Sequence, residues 1–256
     1  MIKEESRFCD SCVFEGMTSI RALLDNLKNG IENARKIEKV LFDKAKEKSK
    51  HKELGYLKKM AELFDFDIEG VDTSVIDSYT VGASHGGLIA LCGEKSYPRI
   101  TQERIVENGF YVMIEGIEDP YNFGYALRSI YAAGADGIIL SKRNWLSAAG
   151  VVCRSSAGAS ERLNVYIESD GFINTFKKSG YKVVCADIKN SVSVYEADLK
   201  KPILLIVGGE KRGISASLLK EADQIVRIDY GRKFDAALSA ASASTILAFE
   251  IFRNNK

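Results

Sequence analysis

From residue 110 onward, short apolar runs alternate with segments of helical periodicity. The apolar runs are FYVMIEGI, DGIILS, YKVVCAD, PILLIVGG and QIVRID, and the helical segments include NFGYALRSIYAAGA, GISASLLKEA and FDAALSAASASTILAFEIFR. A strand that is apolar on both faces has to be covered on both faces, and intervening helices supply that cover in a parallel sheet. The sequence therefore predicts a parallel α/β domain over residues 110–256.

The N-terminal part of the chain has a different sequence pattern. It opens with EGMTSIRALLDNLKNG, where isoleucine and leucine recur at helical spacing, and continues with the short strand pattern IEKVLFD. These patterns predict a small α/β domain over residues 13–96, after an N-terminal tail of residues 1–12. A polar stretch with a proline and glycines then predicts a linker over residues 97–109.

Composition limits the possible partners. The chain is 46% hydrophobic and 28% charged, so we expect a globular protein rather than a disordered one. Its net charge of +1 gives no overall bias towards nucleic acid, so a site for a polyanion has to be a local patch. The lysine-rich stretch over residues 44–52 is either such a phosphate-contacting patch or a solvated helix face.

The cysteines and the hydropathy pattern predict a cytoplasmic protein. The chain has five cysteines, an odd number typical of reduced thiols rather than of a disulfide framework. Cys9 and Cys12 form a C-x-x-C pair, but no second pair or histidine cluster accompanies them, so we expect no metal. No apolar run approaches the roughly 20 residues that cross a bilayer, and the first residues do not resemble a secretory signal.

Three predicted strands end in unusual segments, at residues 115–124, 207–215 and 227–239. Ligands bind at the carboxyl ends of the strands in open parallel sheets. The middle segment reads G-G-E-K-R-G from Gly208, with a glutamate where the dinucleotide fingerprint has its second glycine, and that carboxylate would repel a pyrophosphate. A glycine-rich bend that carries an acid suits a ligand with hydroxyls or a positive centre, and S-adenosylmethionine, with its sulfonium, is one candidate.

The same three segments, in this order, resemble the three motifs of the SpoU (TrmH-type) RNA 2′-O-ribose methyltransferases of the SPOUT class. The matching stretches are DPYNFGYALRSIYAAG, LLIVGGEKRGIS and VRIDYGRKFDAALSAASASTILAFE. RSSAGASERLNVY, at residues 154–166, is similar to a further segment of these enzymes. EGMTSIRALLDN and VGASHGGLIA are similar to the start and end of the substrate-binding domain that precedes the catalytic domain in many members.

The resemblance implies a fold and an activity. The C-terminal domain would contain a deep trefoil knot, and an L30e-like substrate-binding domain would precede it. The enzyme would transfer a methyl group from S-adenosyl-L-methionine to a ribose 2′-hydroxyl of ribosomal or transfer RNA, with ribosomal RNA favoured. It would act as a homodimer, without a metal, a membrane or DNA as a partner. Two alternatives are an RNA-binding protein that kept the fold but lost activity, and a dinucleotide-dependent oxidoreductase, which Glu210 disfavours.

The resemblance also implies the site residues. The catalytic set is Asn122, Arg128, Glu210 and Ser239, and the cofactor contacts are Gly208, Ile228 and Leu238. An arginine is a very weak base, since its pKa lies above about 12, so we expect Arg128 to stabilise charge rather than to remove a proton. The alternatives are a helix N-cap for Asn122, a surface ion pair for Arg128 and a local turn bond for Glu210.

Motif 3 departs from the family pattern at two positions. Asp229 follows Ile228 where most members have a proline, and Ser239 replaces the usual asparagine before the final helix. A serine hydroxyl reaches less far than an amide and makes fewer hydrogen bonds. The alternative of an inactive RNA-binding protein depends on these two changes. Arg232 and Lys233 add positive charge to the same loop.

Overall fold

The computed structural model describes residues 12–31, 34–80, 85–141, 148–209 and 211–256. Within these ranges the chain forms eleven strands and nine α-helices. The strands are β1 (Val13–Glu15), β2 (Ile37–Asp43), β3 (Asp67–Val71), β4 (Leu88–Cys92), β5 (Phe110–Glu115), β6 (Gly137–Leu140), β7 (Val165–Ile167), β8 (Lys182–Ala186), β9 (Val192–Ser193), β10 (Ile203–Gly208) and β11 (Gln224–Arg227). The helices are α1 (Gly16–Lys28), α2 (His51–Phe64), α3 (Thr73–Tyr79), α4 (Pro120–Ala132), α5 (Ala149–Ser155), α6 (Ala159–Arg162), α7 (Phe172–Lys178), α8 (Ala216–Glu221) and α9 (Ala240–Asn254).

The chain divides into two compact units. Unit 1 contains Met1–Ser96 together with Asn144–Arg162, and unit 2 contains Tyr97–Arg143 together with Leu163–Lys256. None of the helices in the described ranges is both long enough and apolar enough to span a membrane.

Unit 1 is built on a four-stranded sheet in the order β1-β4-β2-β3. Strands β2 and β3 run parallel, and β4 is antiparallel to β1 and β2. Helix α1 buries Ile20, Leu23 and Leu24 against this sheet, which accounts for the helical spacing of apolar residues in the sequence. Ala149 and Cys153 of α5 belong to the same core.

Ion pairs also tie α5 and α6 to the rest of unit 1. The buried carboxylate of Glu161 lies 3.2 Å from Lys95 Nζ and 3.9 Å from Arg35 Nε. Buried charges are tolerated when they are paired, and these cations supply the pairing. The other two pairs are Arg154 with Glu15 (2.6 Å) and Arg162 with Asp25 (2.9 Å). The α5–α6 segment therefore joins unit 1, whereas the sequence prediction placed it in the domain over residues 110–256.

Residues 97–109, predicted as a linker, pack within unit 2. Ile100 is buried, and its backbone N–H donates to the carbonyl oxygen of Ile167 at 2.9 Å. The N–H of Ile167 donates in turn to the carbonyl oxygen of Pro98 at 2.9 Å, and the hydroxyl of Tyr181 donates to that of Val106 at 2.6 Å. This segment has partners for its backbone and its apolar side chain, so it extends the second unit rather than forming a free connection.

Unit 2 confirms the predicted parallel α/β architecture. Its seven strands follow the order β7-β6-β5-β10-β8-β11-β9, and every neighbouring pair is parallel. The central strands β5 and β10 are almost wholly buried, which explains their near-continuous apolar sequences.

Helices α4 and α9 of unit 2 pack side by side. Thr245 of α9 donates a hydrogen bond from its Oγ1 to the Oγ of Ser129 on α4 at 2.8 Å. Leu247, Ala248 and Ile251 are buried on the inner side of α9. The small residues along this last helix permit the close approach of α4.

Candidate functional site

A cavity of about 650 Å³ opens in unit 2 at the carboxyl ends of three adjacent strands, β10, β8 and β11. Such strand ends are where parallel sheets bind ligands. Side chains of α9 complete its wall. The lining residues are Ala186, Asp187, Ile188, Val207, Gly208, Gly209, Gly213, Val226, Arg227, Ile228, Asp229, Tyr230, Arg232, Lys233, Phe234, Ala237, Leu238, Ala240, Ala243 and Leu247.

All three residues predicted to contact a cofactor line this one cavity. Gly208 ends β10, Ile228 follows β11 and Leu238 lies just before α9. Their sequence positions are far apart, and the strand order brings them together. Their contact with a cofactor stays a prediction.

Two glycines shape the cavity by allowing backbone segments to touch. A Cβ on Gly208 would lie 2.5 Å from the carbonyl carbon of Gly213 and 2.7 Å from the nitrogen of Ile214. A Cβ on Gly209 would overlap the carbonyl group of Gly116. Gly213 has a φ of +63° and donates its N–H to the Gly209 carbonyl at 3.1 Å, which closes a tight turn. This part of the cavity therefore presents backbone groups rather than side chains.

The turn is fastened to the loop that follows β5. A carboxylate oxygen of Glu115 accepts the N–H of Ser215 at 2.8 Å, and the Glu115 carbonyl accepts the N–H of Gly209 at 2.5 Å. Lys211 forms an ion pair with Glu118 across the same two loops. Glu210, the predicted catalytic acid of motif 2, lies outside the described residues, and its role stays a prediction.

The segment between β11 and α9 is held at both ends. Arg227 donates from Nε to Asp229 Oδ1 at 2.8 Å and from Nη1 to the carbonyl of Ser191 at 2.6 Å. A hydrogen bond from Ser193 and the positive charge of Arg227 lower the pKa of the Asp229 carboxyl. Further along, the N–H of Leu238 donates to the hydroxyl of Tyr230 at 3.2 Å. The cavity thus has a defined wall that carries a carboxylate.

Asn122 and Arg128 lie on α4 and are not among the residues that line the cavity. The N-cap of α4 is Asp119, whose carboxylate accepts the N–H groups of Tyr121 and Asn122 at 3.2 and 3.1 Å. The interpretation of Asn122 as the helix N-cap was therefore wrong. Arg128 is exposed and makes no hydrogen bond or ion pair with the residues that the structure describes, so the alternative of a surface ion pair finds no support among them.

Ser239 caps the last helix. Its Oγ accepts the N–H of Ser242 at 3.2 Å and donates to the Ser242 hydroxyl at 3.1 Å. Ser239 is not a lining residue, although its neighbours Leu238 and Ala240 both are. The structure gives this residue a capping role, and its catalytic role stays a prediction.

Comparison with known proteins identifies the family. Residues 109–249, more than half of the chain, match the SpoU rRNA Methylase family. The chain belongs to the SpoU methylase family. A Staphylococcus saprophyticus protein named "Putative TrmH family tRNA/rRNA methyltransferase" is 27% identical over 234 residues, which cover 89% of this chain and 92% of that protein.

Solved structures show the same fold as this SpoU family chain. An rRNA methyltransferase from Sinorhizobium meliloti has a TM-score of 0.75 at 23% identity and covers 95% of this chain and 88% of its own. The SpoU methyltransferase AviRb from Streptomyces viridochromogenes, solved in complex with AdoMet, has a TM-score of 0.74 at 20% identity, with 94% and 89% covered. The resemblance seen in the three sequence motifs is therefore confirmed.

Sequence reasoning about this SpoU chain missed three sets of residues. Asp187 and Ile188 line the cavity directly after β8, and the rule that ligands bind at strand ends could have found them. Glu115, which fastens two motif loops, is an acid at the last position of an otherwise apolar strand. Ala243 and Leu247 line the cavity from α9, and nothing in the sequence distinguishes them from ordinary core residues.

Proposed function

We propose that the chain is an S-adenosylmethionine-dependent RNA methyltransferase that modifies the ribose 2′-hydroxyl of ribosomal or transfer RNA, with ribosomal RNA favoured. The observation that carries this proposal is the convergence of Gly208, Ile228 and Leu238 on one cavity at adjacent strand ends. The name of the Staphylococcus saprophyticus relative, a tRNA/rRNA methyltransferase, supports it. An RNA 2′-O ribose methyltransferase also shares the fold, with a TM-score of 0.72 at 23% identity.

The cavity fits S-adenosylmethionine in size and in chemistry. Its volume of about 650 Å³ lies within the range of small-molecule sites. The carboxylates of Asp187 and Asp229 can accept hydrogen bonds from ribose hydroxyls or face a positive centre, and the turn at Gly208 offers backbone groups. When bound, S-adenosylmethionine would supply an electrophilic methyl group.

The chain's own residues would hold the RNA and stabilise charge. Arg128 carries a permanent positive charge without a partner among the described residues, so it can pair with an RNA phosphate and with the charge that develops on the 2′-oxygen. It would act without taking a proton, because an arginine guanidinium stays protonated in proteins. Asn122 would bind the ribose, and the catalytic role that the family resemblance implies for Glu210 is part of the same proposal.

The proposal includes a homodimer in which each copy completes the other's site. Arg128 does not line the cavity of its own chain, so a second copy would have to supply it. The α4–α9 surface suits such an interface because it exposes large aromatic side chains. These are Tyr121 (44% exposed), Tyr125 (51%), Phe249 (44%) and Phe252 (43%).

The knot and the RNA-binding role of unit 1 belong to the same proposal. Membership of the SpoU methylase family, which residues 109–249 show, supports the proposal of a deep trefoil knot in the C-terminal domain. The exposed Lys44, Lys48 and Lys52 support RNA binding by unit 1, for which we propose an L30e-like fold.

One observation favours the alternative of an RNA-binding protein without activity. The hydroxyl of Ser239 is occupied in capping α9, and Ser239 is not among the residues that line the cavity. If methyl transfer needs an amide at this position, the protein would bind RNA without modifying it.

Mass spectrometry of nucleosides tests the proposal. The protein and S-adenosylmethionine would be incubated with unmodified ribosomal RNA and transfer RNA separately, and each RNA would then be digested. We expect a 2′-O-methyl nucleoside in one pool and none with Arg128→Ala. A methyl group that stays on the base after the glycosidic bond is broken would contradict ribose methylation. No product in either pool, despite measurable binding of S-adenosylmethionine, would favour the alternative.

A further inference from the structure

A second, shallower pocket of about 480 Å³ lies on the segment between β11 and α9. Its lining residues are Tyr230, Gly231, Arg232, Lys233, Phe234 and Leu238. All of them except Gly231 also line the larger cavity, so the two pockets are continuous. A molecule in the shallow pocket would therefore lie at the mouth of the proposed cofactor site.

Two aromatic rings in this pocket are open to solvent. Tyr230 is 38% exposed and Phe234 is 59% exposed. Their ring centroids are 6.1 Å apart and their planes are inclined by 57°, so the rings are not stacked face to face. The Tyr230 hydroxyl is fixed by the N–H of Leu238, which holds one ring in place while Phe234 remains largely uncovered.

The pocket also carries two unneutralised positive charges. Arg232 and Lys233 are exposed, and neither forms a hydrogen bond or ion pair with residues in the described ranges. Asp235 lies nearby in sequence and is also exposed. By contrast, Arg227 at the start of the same segment is committed to Asp229 and Ser191.

We propose that this pocket binds one unpaired nucleotide of the RNA. Tyr230 and Phe234 would stack on its base, and Arg232 and Lys233 would contact its phosphates. Exposed aromatic faces beside free cations are the chemistry by which proteins bind single-stranded nucleic acid, and stacking accepts any base. The pocket would therefore select an unpaired nucleotide rather than a particular base. This inference rests on the proposed function, because the cavity alongside would hold the methyl donor.

Binding of RNA without S-adenosylmethionine tests the pocket directly. The probe is a fluorescein-labelled single-stranded RNA of about 12 nucleotides, whose Kd is measured by fluorescence anisotropy. Phe234→Ala should raise the Kd by about five- to hundredfold, because it removes a stacking surface. Arg232→Ala/Lys233→Ala should lower the slope of log Kd against log salt concentration by about 1.4 if each cation neutralises one phosphate.

Matched controls separate this pocket from general surface effects. Tyr195→Ala removes a ring that is 50% exposed and lies in neither pocket. Lys178→Ala/Lys220→Ala removes two exposed charges elsewhere in unit 2. Both controls should leave the Kd and its salt slope close to those of the unmodified protein. A 4-thiouridine version of the probe, irradiated and mapped by mass spectrometry, should crosslink within residues 228–238 even if other parts of the chain also bind RNA.

Calorimetry with S-adenosylmethionine completes the test. Because Phe234 lines both pockets, we expect Phe234→Ala to lower the affinity for S-adenosylmethionine by a smaller factor than it lowers the affinity for RNA measured without the cofactor. A loss of that affinity with an unchanged RNA Kd would show that the rings cover the cofactor, and would overturn the inference. An RNA Kd equal to that of Tyr195→Ala, with no crosslink in the segment, would also overturn it. If RNA binding behaves as expected but no RNA is methylated, the proposed function fails and the nucleotide pocket stands.

Discussion

Gly208 shapes the cavity because it has no side chain. Gly213 and Ile214 rest against it so closely that a methyl group on Gly208 would collide with their backbone. Backbone atoms cannot swing aside as the end of a flexible side chain can. The cavity wall at this point is therefore sensitive to the smallest possible addition.

Gly208→Ala should damage the cavity while Gly231→Ala should not. The added Cβ at position 208 forces the turn to shift, which we expect to weaken S-adenosylmethionine binding at least about tenfold and to cost about 1–3 kcal/mol of unfolding free energy. Position 231, in the neighbouring loop, has no atom within 4 Å of an added Cβ. Calorimetry and urea unfolding of both variants give the comparison. Equal effects would show that the close packing at Gly208 does not shape the site.

Arg128→Ala should remove catalysis and spare cofactor binding. Losing one charge that stabilises the transition state lowers kcat by about 100-fold or more, whereas the exposed side chain does not line the cavity. Arg128→Lys keeps the positive charge but not the planar guanidinium group. Its kcat should therefore lie between that of the unmodified protein and that of Arg128→Ala. Single-turnover methyl transfer and calorimetry provide the two readouts. If the alanine variant retains full turnover, Arg128 has no part in the mechanism.

At the residue level, a general rule accounts for the meeting of the three cofactor-contact residues that the family resemblance implied, while their contact with a cofactor stays a prediction. Gly208, Ile228 and Leu238 meet because parallel strand ends share one edge of the sheet. The alternative role of Asn122 as the N-cap of α4 was wrong, since Asp119 followed by Pro120 is the more typical N-cap and first-turn pair. The position of Arg128 outside the cavity could not be predicted, because it depends on where α4 packs and not on the motif.

Helix α4 owes its first turn to Asp119, which satisfies two N–H groups that have no partner within the helix. Pro120, at the first helical position, needs no such partner. Helix α4 carries Asn122 and Arg128, the two motif 1 side chains with proposed catalytic roles. The cap at Asp119 therefore helps to fix the positions of both side chains.

Asp119→Ala should lower the free energy of unfolding by about 1 kcal/mol, the typical contribution of an N-cap. Asp119→Asn keeps an acceptor oxygen and should cost only a few tenths of that amount. Urea unfolding followed by circular dichroism measures both variants. If Asp119→Asn lowers the free energy of unfolding as much as Asp119→Ala does, then the negative charge of Asp119, and not its capping hydrogen bonds, makes the main contribution to stability.

Helix α5 places a thiol where water cannot reach it. Burial raises the pKa of Cys153 to about 12 from its ordinary value of 9.0. The folded chain therefore keeps a proton that the unfolded chain releases above about pH 9. As a result, the free energy of unfolding falls as the pH rises between these two values, by up to about 1.4 kcal/mol per pH unit for this group.

Cys153→Ala should make the alkaline loss of stability shallower. Urea unfolding between about pH 8 and pH 11 would show a smaller decline for this variant than for the unmodified protein. Val152→Ala alters a buried neighbour without a titrating group, so it should lower stability at every pH and leave the slope unchanged. Identical slopes for all three proteins would contradict the assignment of a buried neutral thiol.

At the scale of the whole molecule, the sequence predicted two α/β parts but not their limits. The sequence pattern of residues 149–162 resembles that of the surrounding domain. No feature of the local sequence shows which of the two hydrophobic cores a short helix joins. The decisive contact pairs Glu161 with Lys95, far apart in the chain, and only the folded structure reveals it. The parallel sheet could be predicted because the apolar strands are local features.

A proposed dimer through α4 and α9 can be broken by one charge. Tyr125→Glu would place a carboxylate in the interface, and an unpaired charge is strongly disfavoured away from water. Light scattering should show about twice the chain mass for the unmodified protein and a monomer for the variant, with methyl transfer lost in parallel. Tyr195→Glu, at a ring of similar exposure, should remain dimeric. A dimeric Tyr125→Glu would place the interface elsewhere.

The return of residues 148–162 to unit 1 has a consequence for the order in which the protein is made. A ribosome produces the chain from its N-terminal side, and the core of unit 1 lacks Ala149 and Cys153 until β5, α4 and β6 have all been synthesised. Two domains that follow one another in sequence can fold one after the other during synthesis. Unit 1 cannot complete its core in this way, because part of that core is synthesised only after the first strands of unit 2. For the same reason, a fragment that ends at residue 96 would lack part of the hydrophobic core of unit 1. The coding regions on either side of that position could not be exchanged between genes as separate domains.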